Sequence, residues 1–257
     1  MEVHQHAHTE RKKWHHYFWE FLMLFLAVFL GFLAENQREH IIEQRRAKQY
    51  AKSLLDDLQN DTADIKKAFY FEKLANLMID SLIDIEHEND ISKKGGAIYY
   101  YVRMASWQYT IDWNKATINQ LINSGNLRYF HDPQLITKIS EYNTLSSSII
   151  DLQNTIDASV TRSATYKDLF TNAQYYRLFT RISMDDLYDG KNLEFIDSVK
   201  HAPIPIFKND PALLNQHANA LLAARSNRAF LLKVSFPKAI KQAAGIMELL
   251  KKEYHLK

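Results

Sequence analysis

The stretch YFWEFLMLFLAVFLGFLAENQREH, residues 17–40, decides how the rest of the chain is read. Residues 21–34 carry no charge, and residues 17–34 are apolar apart from Glu20. A membrane-spanning helix needs roughly 20 apolar residues, with about 17 as the lower limit, so this run lies at the short end of the range. It is apolar on every face, whereas a helix lying on a soluble core keeps a polar stripe. Trp14, Tyr17, Phe18 and Trp19 gather at one end, as aromatic side chains do at a lipid–water boundary. Arg11, Lys12 and Lys13 precede the run. No small-x-small cleavage site follows it before Glu35-Asn36-Gln37-Arg38, which argues against a cleaved leader. The run reads as a transmembrane helix over residues 17–34, with a basic, His-rich tail over 1–16 and a helical domain over 35–257.

Glu20 falls about one helical turn inside the aromatic edge. It either reaches back to the interface or faces another helix, a charged neighbour or a polar path; an acid within a span is a candidate functional residue. Ala27 and Gly31 form a small-x-x-x-small pair that would let a second helix approach closely. Three Lys/Arg precede the span and Arg38, Arg45, Arg46, Lys48 and Lys52 follow it, so a raw count favours a cytoplasmic C-terminal domain. The short tail with its cations against the span argues the other way, because long domains translocate largely regardless of charge. The expected topology is a single pass through a bacterial inner membrane, with the N-terminus inside and the large domain periplasmic.

The 257 residues are 46% hydrophobic and 24% charged, which suits a packed core. A net charge of +2 does not suggest a nucleic-acid partner. With no cysteine there are no disulfides, thiolate metal sites or cysteine nucleophiles. No Gly or Pro occurs between Phe32 and Lys94, and every proline lies after Asp132. Such a chain reads as all-α: one N-terminal transmembrane helix continuing into an antiparallel bundle of about four long helices.

The first helix is expected to run unbroken to about Ile85, on the order of 110 Å at 1.5 Å per residue. Ala51, Leu55, Leu58, Thr62, Ile65 and Phe69 form a coiled-coil-like seam, which resumes at Phe71, Ala75, Met78, Leu82 and Ile85 after a two-residue slip. Residues 35–50 are too polar for a core and read as a stalk. Residues 86–96 (EHENDISKKGG) read as the first loop, with a second helix from Ala97 and a short third ending at Asn123. Gly125 suits the left-handed position past a helix end. Asp132-Pro133 and Asp210-Pro211 are cap-plus-proline starts for two further helices, the first running to about Phe170 and the second to about Tyr254 with a kink at Pro237.

Several stretches make a recognisable set. They are Glu35-Asn36-Gln37-Arg38-Glu39; Tyr50 through Leu54, Asp57, Leu58 and Asp61; and TINQLINSGNLR (117–128), containing Gln120, Leu121, Ser124, Gly125, Asn126, Leu127 and Arg128, with Ile139 and Tyr142 beyond. Over roughly residues 10–150 the chain resembles a family of bacterial single-pass membrane proteins grouped as a domain of unknown function, marked by an L-x-x-S-G-N-L-R turn. The resemblance implies a topology and no chemistry.

His4, His6 and His8 alternate in a pattern that can bind Zn, Ni or Cu, though a solvated tail is the plainer reading, and no metal or other cofactor is expected. Tyr100, Met104, Trp107 and Trp113 are candidates to line a ligand pocket between helices; packed core is their plainer reading. Asp56, Asp57, Asp61 and Asp64 read as a solvated face. The 124–128 turn reads as a structural cap. No nucleotide, hydrolase or metalloprotease motif occurs, and no enzymatic activity is expected. The expected role is a non-enzymatic scaffold or accessory subunit of a cell-envelope assembly, bound to the lipid bilayer and forming a homo-oligomer or packing on another membrane protein. The alternatives are a ligand-binding sensor bundle, or a pore or channel subunit with Glu20 near the membrane path.

Overall fold

The computed structural model describes residues 14–86, 88, 91 and 93–256, and among these there is no strand. The all-α reading is observed. Helix α1 spans Trp14–Glu86, α2 Gly95–Ala105, α3 Ala116–Asn123, α4 Pro133–Phe170, α5 Ala173–Phe179, α6 Met184–Tyr188, α7 Leu193–Lys200, α8 Pro211–Phe230 and α9 Phe236–Tyr254. A π turn, Leu231–Ser235, joins α8 to α9 without a break. The chain forms two units, one ending at Tyr50 and one beginning at Ala51.

In the first unit, the part of α1 that was read as a span is long and apolar enough to cross a membrane, and none of its apolar window is buried by the rest of the chain. Phe21, Phe25 and Phe29 stack in sequence, with ring centroids 6.3 and 5.9 Å apart. Of residues 35–50, read as a stalk, 35–41 are exposed and Ala47 is buried.

The second unit is built on three long rods where about four were read: the later part of α1, α4, and α8 with α9. The end of α1 meets the start of α8 through Glu86 and His217, and His217 packs edge-on against Phe170 at the end of α4. Phe130, ahead of α4, packs against Tyr254 at the end of α9. The last rod therefore runs antiparallel to the other two, which share a direction. Asp132 and Asp210 start α4 and α8 as expected, their carboxylates accepting from the N–H groups of Gln134 and Ala212 at 2.8 and 3.0 Å.

Three local expectations are corrected. First, the seam of α1 has no slip. Its inward positions are Ala51, Leu54, Leu58, Asp61, Ile65, Ala68, Glu72, Ala75, Ile79, Leu82 and Glu86, an unbroken alternation of three and four residues; the earliest ten are buried, as is the side chain of Glu86. The break arose from passing over acids that occupy seam positions. Second, Gly95 and Gly96 lie inside α2, not in a loop. A Cβ on Gly95 would fall 1.6 Å from the carbonyl oxygen of Ile204, and one on Gly96 2.5 Å from that of Val199. The pair exists to let backbone touch backbone, and the Gly96 N–H donates to Ala202 at 3.2 Å. Third, the helix ahead of Pro237 is not regular α-helix, because a π turn, Leu231–Ser235, precedes the proline. Proline has no N–H for the carbonyl four residues back, and a wide turn just before it removes the clash.

Candidate functional site

The acids of α1 organise the second unit. Asp61, placed on the seam by its spacing, is only 2% exposed. One oxygen accepts from the Asn114 backbone N–H at 2.8 Å and from its side-chain amide at 3.1 Å; the other accepts from the Tyr142 hydroxyl at 2.9 Å. One turn on, Asp64 accepts from the Tyr109 hydroxyl at 2.5 Å and the Asp112 N–H at 2.7 Å. Together the two carboxylates hold residues 106–115 as a strap across the bundle. The expectation that Asp56, Asp57, Asp61 and Asp64 form a solvated face holds for the exposed Asp56 and is overturned for Asp61 and Asp64, to which the chain returning from α2 supplies donors that no local pattern reveals. Burial, and then the nearby Asp61 carboxylate, raise the pKa of the Tyr142 hydroxyl far above its ordinary value. Burial followed by the Asp64 bond does the same for Tyr109.

Further along, Glu72 and Arg228 form an ion pair of 2.8 Å with side chains 1% and 0% exposed. Burial raises the Glu72 carboxyl and lowers the Arg228 guanidinium, and their mutual attraction opposes both shifts. Arg228 also donates to the carbonyls of Ala105 and Trp107 at 3.1 and 2.6 Å, closing the C-terminus of α2. Arg225 clasps Asp80 with two nitrogens. Glu86 meets His217 at 3.0 Å, again with both side chains buried.

The strap and α4 enclose a cleft of about 500 Å³ lined by Gln108, Thr110, Ile111, Trp113, Ile150, Gln153, Asn154 and Asp157. Gln153 fixes the strap by donating to the Tyr109 carbonyl at 2.8 Å, and Gln108 donates to the Gln153 carbonyl at 2.7 Å. Two polar atoms of the lining are cut off from solvent without a partner in the protein: the Gln108 side-chain oxygen and the Trp113 indole nitrogen.

The four residues suggested for one pocket are divided by the structure. Tyr100 and Met104 are buried in a core with Phe71, Phe179 and Met184, and Trp107 packs against that core. Burial pushes the Tyr100 hydroxyl up to about 12. Only Trp113 lines the cleft, with its ring edge-on to Tyr142. Nine positions separate Met104 from Trp113 in sequence, but the chain leaves α2 between them and crosses to α4, so the aromatic cluster serves two places.

The 124–128 turn forms a helix cap. The Ser124 hydroxyl donates to the Gln120 carbonyl at 2.5 Å, and Gly125 takes φ +68°. A short 3-10 turn, Asn126–Tyr129, follows, and Leu121 is buried. In the first unit, Glu20 sits 3.1 Å from His16. At 100° per residue, Glu20, Ala27 and Gly31 share one side of α1, opposite the Phe21–Phe25–Phe29 stack. A Cβ added to Gly31 would meet nothing within 4 Å. The candidates His4, His6 and His8 lie outside the described residues. Among the described residues, no group of three or more His, Cys, Asp or Glu is placed to hold a metal.

No family model, curated protein or solved structure matches the chain.

Proposed function

We propose that this chain is a membrane-anchored, non-enzymatic helical protein, acting as a scaffold or accessory subunit of a bacterial cell-envelope assembly. The observation that carries the reading is the apolar window of α1, which the rest of the chain leaves unburied. Apolar side chains in a row from Phe21 to Leu33 need a lipid or protein environment. The shared side of Glu20, Ala27 and Gly31 supports oligomerisation through that segment: small residues admit a neighbour, and an acid at the rim is stabilised by a partner's donor. The likeness over residues 10–150 points to the same topology, with an inner-membrane span and a periplasmic second unit. The bundle interior is committed to packing and to paired charges, which suits a rigid platform better than a reaction centre.

The test is mass measurement of the full-length protein in lipid nanodiscs, comparing it with Glu20→Gln and Gly31→Leu. An oligomer that loosens in either variant supports assembly through this side. A monomer that both changes leave unaltered removes that reading, and a chain that stays in the aqueous fraction after cell lysis removes the anchor.

A second reading, a ligand-binding sensor bundle, is favoured by one observation: the cleft of about 500 Å³ under the strap. Thermal shifts across a metabolite panel test it, with no shift from any compound counting against it.

A further inference from the structure

The geometry points to a head-to-tail contact between copies of this chain, in which the outer face of the last rod, at its π turn, docks on the 188–197 surface of a neighbouring copy. The contact goes beyond the assembly proposed for the span and engages the second unit alone. Between Pro211 and Met247 there is no Asp or Glu. Phe230, Lys233, Val234, Pro237, Lys238 and Lys241 are all exposed in that stretch. At 100° per residue they fall on one side of the rod. Phe230 leaves 53% of its surface in water, and Val234 45%. The three lysines form no ion pair among the described residues. An apolar strip flanked by uncompensated cations fits a surface that is both apolar and acidic. Its centre is the π turn, a distortion that recurs at functional sites.

The same chain carries that surface. Residues 188–195 are exposed without a break and include Tyr188, Leu193 and Phe195. Around them stand Asp185, Asp186, Asp189, Glu194 and Asp197, against the single cation Lys191. Asp185 meets Lys67 at 3.4 Å, and Asp189 meets Lys191 at 2.6 Å. Exposed pairs of this kind are worth about 0–1 kcal/mol, so they leave the acids available to a neighbour's lysines. The two surfaces cannot meet within one chain. Tyr188 packs on Tyr70 and Phe71 of α1, with ring centroids 4.9 and 5.6 Å apart. Arg228 faces Glu72 on α1, and Phe230, two residues on, lies about 200° around the rod and faces away from α1. A symmetric pairing of two last rods would set lysines against lysines. Unlike surfaces instead leave one of each kind free, so copies add until a ring closes or a row forms. Few side chains take part on each side, fewer than the roughly 20–30 of a stable interface. The contact is therefore weak between free molecules and gains strength where a shared bilayer concentrates the copies.

The chain has no cysteine, so introduced thiols report on this contact alone. Full-length Val234→Cys and Leu193→Cys chains, one of them tagged, are mixed in phosphatidylcholine liposomes and treated with a short bis-maleimide. The mixed dimer is expected to exceed about tenfold the dimer formed with Thr155→Cys, an exposed control on α4. Adding Lys233→Glu, Lys238→Glu and Lys241→Glu to the Val234→Cys chain should lower the yield about tenfold. A partner carrying Asp189→Lys, Glu194→Lys and Asp197→Lys should restore it, which loss of folding could not do. Equal yields at 193 and 155, a dominant dimer from Val234→Cys alone, or indifference to charge reversal overturns the inference. So does a yield abolished by phosphatidylglycerol in the liposomes, with lysine reversal altering only lipid binding; the face would then belong to the membrane. The series is repeated with Gly31→Leu. A 193–234 dimer that persists there supports the contact even if assembly through the span fails. If that dimer is absent while Gly31→Leu still loosens an oligomer, only the present inference falls.

Discussion

Glu72 and Arg228 lie 2.8 Å apart, on α1 and α8, with neither side chain reaching solvent. Each stands where a bundle normally places a leucine. Glu72 continues the α1 seam between Ala68 and Ala75, and Arg228 continues the α8 seam between Ala224 and Leu231. Together with Asp61–Tyr142 and Glu86–His217, the pair makes a polar column inside an apolar interface. Buried pairs of this kind add little net stability over well-packed apolar residues, but they penalise any register in which a charge loses its partner.

Glu72→Gln leaves the guanidinium its two carbonyls but no counter-charge, and is expected to cost about 3 kcal/mol. Arg228→Met strands the carboxylate and both carbonyls, and is expected to cost about 3–5 kcal/mol. The double change should cost less than the sum of the two singles. Urea unfolding of the full-length protein in nanodiscs reads the coupling, and strict additivity would mean that the two groups do not act as a pair.

Asp61→Ala removes the acceptor for Asn114 and Tyr142 at once. Leaving those donors unpaired is expected to cost about 3 kcal/mol, at about 1–3 kcal/mol per stranded group. Hydrogen exchange should locate the damage: amides of residues 108–115 lose protection while those of α9 keep theirs. Uniform loss along the chain would show that the strap is not a separate latch.

The glycines give opposite expectations by position. Gly95→Ala puts a methyl into the Ile204 carbonyl and must displace the 199–204 segment, so thermal stability falls by more than the 1–3 kcal/mol usual for overpacking. Gly245→Ala adds a methyl that meets nothing within 4 Å inside α9, and should raise stability by about 0.5–1 kcal/mol. Melting curves of the two variants side by side check both signs.

Alkali should destabilise the bundle. The hydroxyls of Tyr99, Tyr100, Tyr109, Tyr142 and Tyr254 are all raised, burial being the largest cause in each case. Above the ordinary tyrosine value near 10, the unfolded chain releases protons that the folded chain retains, so stability falls as pH rises. Tyr142, fully enclosed, contributes about 1.4 kcal/mol per pH unit in that range. Tyrosinate absorbance should rise in step with loss of helix; free titration of every tyrosine at pH 10 with the helix signal intact would contradict this.

Much of the architecture was legible because its signals are local. Asp132-Pro133, Asp210-Pro211 and Gly125 act through the peptide groups beside them, and each stands where its chemistry predicts. The exposed apolar window was legible for the same reason. What stayed hidden depends on distant chain. Asp61 looks like any surface aspartate until Asn114 and Tyr142 arrive from 53 and 81 residues away. Gly95 and Gly96 look like a loop until the 199–204 segment is laid against them. A trace of the seam was nonetheless present, since admitting Asp61 and Glu72 to the α1 heptads removes the apparent slip and marks both as buried.

The π turn before Pro237 has a genealogical consequence. The inward positions of the last rod step by three and four residues up to Leu231, then by four, four and four through Ser235, Ala239 and Ala243, before the alternation resumes at Ile246 and Leu250. One surplus residue fits that offset, which is what an insertion leaves in a helix whose two halves were already committed to their neighbours. Deleting Val234 should therefore close the wide turn into an ordinary one with both halves still aligned, provided Pro237 is exchanged for alanine in the same chain. Between Pro211 and Tyr254 this is the one point at which the length of the polypeptide can be edited without turning a greasy face to water.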